Sequence, residues 1–178
     1  GAKLGYFEWC DDFAAARNAS LKLATGDWIM WLDPDDVLPE ECHAQIRAVM
    51  QEGLGKKVAY FFVLDDQGYE PVTCLQMRLF PNLPGIEFRM PIHEQITPSL
   101  AEVGVRCEPT DIRVVHTGYT TPEVVSEKQQ RYLGIMEKWL ETHPEDYIVR
   151  SHAAMTYYVR GPIEKAIANY ERILADGD

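Results

Sequence analysis

The sequence predicts an α/β fold, a mixed sheet flanked by helices, followed by a C-terminal α-helical hairpin. Three observations carry that reading. A helix feeds straight into a buried strand near the N-terminus, two more apolar strands stand in the middle of the chain, and helical periodicity takes over from Pro122.

In "CDDFAAARNASLKLATGD", Asp11 or Asp12 caps the first helix, Phe13, Ala16, Ser20, Leu21 and Ala24 recur on one face, and Gly26 is its stop. "WIMWL", residues 28–32, is a continuous apolar run that predicts a central strand buried on both faces, with Trp28 and Trp31 as core rather than as a sugar-stacking platform. After "DPDD", Pro39 suits a first helical position, Glu40 and Glu41 suit a first turn, and Cys42, Ile46, Val49 and Met50 mark the apolar face. "VAYFFVLDD" (58–66) predicts a second strand, "DQGYEP" a turn and "CLQMRLFP" (74–81) its hairpin partner.

Residues 80–91 read as a proline-rich loop, "IHEQI" as a short strand or strand edge, and "VGVRCEPTDIRVVHTGY" as two short strands with a polar break. Three helices are expected at 122–142, 146–160 and 162–176. Ala153, Ala154, Tyr157 and Tyr158 suit packing in the second, and Ile163, Ala166, Ile167, Tyr170 and Leu174 form a stripe in the third. The change of style divides the chain into an α/β part, 1–120, and a helical appendage, 121–178.

Seventeen Lys and Arg against 28 Asp and Glu give a formal charge of -11, which repels a phosphate backbone and sets nucleic acid aside as a partner. The four cysteines form no CxxC pair, so no zinc knuckle or redox motif is indicated. No transmembrane segment and no signal-peptide h-region is legible, and a cytoplasmic location is expected.

Chemistry concentrates where "WIMWL" turns acidic, because open α/β sheets place ligands beyond the carboxyl ends of their strands. Asp33 and Asp35, one residue apart around Pro34, suit Mn²⁺ or Mg²⁺ and leave positions for water and a diphosphate; Asp36 is a third ligand or a cap of the following helix. Arg17 and Asn18, on the preceding helix, reach the same strand end and suit a phosphate; the simpler role for Arg17 is a partner of Asp11 or Asp12. Arg78 and Arg89 suit phosphate or acceptor contacts, with surface charge as the simpler role.

"FAAARNASLKLATGDWIMWLDPDDVL" resembles the central stretch of family-2 glycosyltransferases of the GT-A (Rossmann-like) fold, where an Arg-Asn helix precedes a buried strand ending in a D-x-D motif. "LFPNLPGIEFRMPIHEQI" followed by "VVHTGY" resembles a subgroup with a HEQI segment and a later His-x-Gly-Tyr that continues into tetratricopeptide-like helices. The resemblance implies inverting transfer of a sugar from a nucleotide-sugar donor to an acceptor, a saccharide, lipid-linked glycan or protein. It implies metal at Asp33 and Asp35, the donor diphosphate near Arg17 and Asn18, and Glu94 as the base beside the acceptor; Asp65 or Asp66 is the alternative base. His93 then orients that base or contacts the acceptor, and His116 approaches the metal or diphosphate from the other side; either is alternatively a structural histidine.

The chain departs from the family pattern upstream, where the usual first strand and D-x-G-S-x-D region are absent. That implies a partial GT-A domain lacking the nucleoside half of the donor pocket, an open edge beside "WIMWL" through which a homo-oligomer forms, and little transfer by this chain alone. The rival expectation is a catalytically inactive GT-A-like domain acting as a protein-interaction module.

Overall fold

A computed structural model describes residues 2–69, 71–118 and 121–176, with the side chain of Asp176 excepted. Its first helix, α1 (Phe13–Leu21), is capped by Asp12, whose carboxylate accepts the Ala15 N–H at 2.9 Å. The helix ends at Leu21, well before Gly26, because residues 22–23 turn out of it.

Among the described residues five strands form one sheet in the order β1-β4-β3-β5-β2. The long pair β3 (Val58–Asp66) and β4 (Val72–Pro81) is the expected antiparallel hairpin. On the other side of β3 runs β5 (Arg106–His116), parallel to it. Where two short strands were expected, β5 is one strand, and a register shift opposite Phe61 to Val63 absorbs the polar break around Pro109.

Two further expectations need correction. "WIMWL" yields only β1 (Trp28–Met30), an edge strand paired antiparallel with β4, and Met30 and Leu32 are exposed. "IHEQI" forms no strand; its one sheet-like contact is the Arg89–Gln95 bridge, and His93 sits at φ 55°, which a strand does not accommodate. The two-residue strand β2 (Asp36–Val37), unforeseen, pairs with β5 at the opposite edge of the sheet.

Helices cover both faces. α2 (Cys42–Glu52) begins only after a turn at Pro39–Glu41, so those residues precede the helix rather than start it. It packs Cys42 and Ile46 on Tyr60, Phe62, Leu64, Ile112 and Val114. On the other face, Ala14 of α1 and Leu100 of the short α3 (Thr97–Glu102) close over Ala59, Met77 and Phe80. The alternation of Tyr60, Phe62 and Leu64 against Ala59 and Phe61 along β3 explains how one apolar run serves both layers.

The helical part matches its expected spans: α4 (Pro122–Thr142), α5 (Tyr147–Arg160) and α6 (Ile163–Asp176). Ala153, Ala154 and Tyr157 are buried, but Tyr158 is exposed, since it falls off the face that α5 turns inward. Ala166 is buried, whereas Ile163, Ile167, Tyr170 and Leu174 remain exposed. A third core, Ile92, Ile135, Met136, Val149 and Ala153 with Phe13 and Tyr132 against it, fixes α4 and α5 to α1 and to the loop before α3.

Candidate functional site

The acidic run sits on a crossing. β1 and β2 occupy opposite edges of the sheet, so residues 31–35 carry the chain from one edge to the other. A turn with proline second in the sequence Asp33-Pro34-Asp35-Asp36 ends that crossing: the Asp36 N–H donates to the Asp33 carbonyl at 3.0 Å, and the Asp33 N–H donates to Asp36 Oδ2 at 2.8 Å.

Antiparallel pairing of β2 with β5 sets Asp36 opposite His116, and Asp36 Oδ1 lies 2.9 Å from His116 Nδ1. Arg78, three strands away on β4, donates to Asp36 Oδ2 at 2.6 Å and to the Trp31 carbonyl at 3.3 Å. It thereby pins the crossing to the sheet. The side chains of this pair are 1% and 0% exposed, so Arg78 is a buried structural cation and not the surface charge expected. Burial alone would raise the Asp36 pKa; the Asp33 amide, His116 and the Arg78 charge outweigh it and hold the carboxyl below its ordinary value.

Asp36 therefore neither caps α2 nor has a lone oxygen to spare, since both of its oxygens already accept hydrogen bonds. Asp35 is different. It lies 3.7 Å from His116 Nδ1, and a Cβ on Gly118 would overlap Asp35 Oδ2 and crowd His116 Nε2. Glycine at 118 is thus what lets that carboxylate and that imidazole converge. Ligand atoms of Asp35, Asp36 and His116 all lie within 4.8 Å of one another, a set of oxygen and nitrogen donors that suits a divalent cation.

Asp33 faces elsewhere. Arg17 of α1 reaches it at 3.2 Å through Nη2 and pairs through Nε with Glu94, whose side chain is only 12% exposed. One guanidinium thus ties the end of β1 to the "IHEQI" loop, and it also lies 3.9 Å from the Trp31 ring centroid. The Asp11 or Asp12 partner considered for Arg17 is not used; Asp11 pairs with Lys138 and Asp12 caps α1.

These groups line a cleft of about 870 Å³, together with Asp66, Phe88, His93 and residues of α4. Asp66 reaches the cleft and accepts the Gly68 N–H at 2.9 Å. Asp65, pointing to the other side of the strand, lies 3.9 Å from Arg113 and outside the cleft lining. Asn18 is also off the cleft: both ends of its amide bond the Phe88 backbone at 2.8 Å, so it clamps the proline-rich loop instead of facing a phosphate.

His93 stacks on His152 of α5, with ring centroids 4.4 Å apart. Desolvation, then the like charge of His152, draws its pKa down to about 4. Tyr119 of "VVHTGY" lies outside the described residues. Arg89 is the surface charge expected, paired with Glu87 and Glu102.

Sequence reasoning weighed Arg78 as a phosphate or acceptor contact but preferred a surface charge, and it missed Gln76 and Gln129 as cleft residues. Arg78 and Gln76 had a signal, polar side chains two apart in an otherwise apolar strand. Gln129 had none.

A mixed sheet with an acidic corner beyond its strand ends, followed by packed helices, defines a partial GT-A fold with a helical C-terminal segment. Residues 5–76 match the family model described as "Glycosyl transferase family 2", which supports a family-2 glycosyltransferase. It is similar to a TPR repeat-containing protein of Synechococcus elongatus, 35% identical over 157 residues, which are 82% of this chain and 38% of that protein. It is also similar to the SPbeta prophage-derived glycosyltransferase SunS of Bacillus subtilis, 26% identical over 155 residues, 81% of this chain and 34% of that protein. The chain thus spans little more than a third of the length of these relatives. Among the described residues no helix is long and apolar enough to cross a membrane.

Proposed function

We propose that the complete protein transfers a sugar from a nucleotide-sugar donor to an acceptor nucleophile, with inversion and with help from Mn²⁺ or Mg²⁺. The observation that carries this reading is the convergence of Asp35 and His116 beside Gly118 at a strand end. In this reading Asp35 and His116 Nε2 hold the metal, Asp36 orients the imidazole through Nδ1, and Asp33 completes the acidic rim. The bound cation supplies charge neutralisation for the departing diphosphate.

Glu94 is the base, removing the proton of the acceptor nucleophile, and Arg17 holds its carboxylate toward the cleft. Asp66 remains the alternative base, because it too lines the cleft. His93 borders the acceptor side. Residues 1–120 form the transferase part and 121–178 a tetratricopeptide-like part. The acceptor is a saccharide, a lipid-linked glycan or a protein.

Calorimetric titration with UDP- and GDP-sugars, with and without Mn²⁺, tests the proposal. Metal-dependent binding that disappears in Asp35→Ala is the expected result. Binding indifferent to both metal and that substitution would instead favour a non-catalytic interaction module.

A further inference from the structure

The cleft has a second side, built by α4. Val125, Lys128, Gln129 and Tyr132 stand at i, i+3, i+4 and i+7 and line it from one face of that helix. Across from them, Gln76 lies two residues before Arg78 on β4, next to the pinned acidic corner.

Gln76 and Gln129 share an unusual property. Each buries its side-chain carbonyl oxygen, and neither oxygen accepts a hydrogen bond from the protein. Buried polar atoms are nearly always paired, and an unpaired one opposes folding. Two such side chains on different elements, both lining one cleft, mark positions where a ligand's donors belong. The surroundings narrow the ligand: the amides are neutral, and Phe88 and Tyr132 supply aromatic rings in the same cleft. Hydroxyl donors on a ring with an apolar C–H face meet both demands, and a sugar has both.

We infer that Gln76 and Gln129 accept hydrogen bonds from sugar hydroxyls, and that α4 is a substrate-binding wall as well as a packing element. The inference rests on the transferase reading above and deepens it. The sugar is the one carried by the donor or the one presented by an acceptor saccharide, and the test separates the two.

Gln76→Leu and Gln129→Leu remove the unpaired oxygens at similar size. Both variants are expected to unfold at or above the wild-type temperature, to keep affinity for UDP or GDP with Mn²⁺, and to lose at least about tenfold in sugar-dependent affinity. Gln129→Glu, which keeps an acceptor oxygen, is expected to retain sugar binding. Loss of the extra affinity of UDP-glucose or GDP-mannose over the bare nucleotide assigns the donor sugar; loss of signal on a glycan array assigns the acceptor. Wild-type sugar binding that survives both leucine substitutions overturns the inference and leaves the transferase reading standing. A wild-type protein that binds no nucleotide-sugar overturns the transferase reading and this inference with it.

Discussion

The two sides of the cleft are built by different means. On the acidic side, "DPDD" closes on itself by a turn, β2 registers on β5, and a buried arginine locks the assembly from below. On the far side, among the described residues, a loop, α4 and α5 meet through side chains, the Ile92 core and the His93–His152 stack, and Gln129 lines the cleft from α4. Backbone pairing fixes the first to within a rotamer, whereas the second can be re-specified by single substitutions. The difference suits a division between common chemistry and individual recognition.

The sharpest way to break the comparison is to remove the lock. Arg78→Met leaves Asp36 as an uncompensated charge in a dry site, and breaking such a pair costs about 3–5 kcal/mol. Urea unfolding is expected to show that loss, and Arg78→Met with Asp36→Leu to recover most of it, since burial of both charges is itself costly. Acid reports on the same residue. The folded pKa of Asp36 lies below its unfolded value, so the contribution is present above about pH 4 and is lost as the pH falls through the folded value. Asp36→Asn should flatten that part of a stability-pH profile.

Next in size is an effect on binding rather than on folding. Gly118→Ala puts a methyl group where Asp35 Oδ2 lies and against His116 Nε2. Metal-dependent affinity for a nucleotide-sugar is expected to fall about 10- to 100-fold, the range seen when metal-ligand positioning is disturbed. Calorimetry alongside thermal unfolding separates this from a folding defect; equal loss of both would assign Gly118 to packing alone.

How much of each side was legible follows from how it is built. The hairpin, the cap at Asp12 and all three C-terminal helices were readable, because periodicity and capping are local. The acidic cluster was readable too, as consecutive residues after an apolar run. What "WIMWL" could not show was its place at an edge, since an apolar run looks alike whether its neighbours are strands or the side chains of Tyr60 and Phe88. Asn18 and Arg78 were misassigned for a related reason: their partners, Phe88 and Asp36, lie 70 and 42 residues away in the chain. Gln129 reaches the cleft only because α4 docks on the Ile92 loop, a tertiary event without a local pattern.

A smaller effect probes the far wall. Both His93 and His152 have pKa values lowered by desolvation. Their unfolded forms therefore take up protons first, and the contact loses stability as pH falls below about 6.5. Protection of the α5 amides, corrected for the pH dependence of intrinsic exchange, is expected to fall between pH 7 and roughly 5, and His152→Phe to remove much of that dependence. Unchanged protection in the wild type would show that the stack bears no part of the docking.

The smallest effect is the most instructive about ion pairs. Arg89 grips Glu102 with two bonds of 2.6 Å and Glu87 with a third of 3.1 Å, which is better geometry than Arg78 has with Asp36. Yet the Arg89 and Glu102 side chains are 40% and 57% exposed, so water competes for every one of those bonds and salt screens the charges. Arg89→Ala is expected to leave the urea midpoint nearly unchanged at physiological salt, with any difference shrinking further as salt is added. A large, salt-insensitive loss would mean that the Arg89–Gln95 backbone bridge depends on this side chain. The "IHEQI" loop, and Glu94 with it, would then be held from the surface as well as by Arg17.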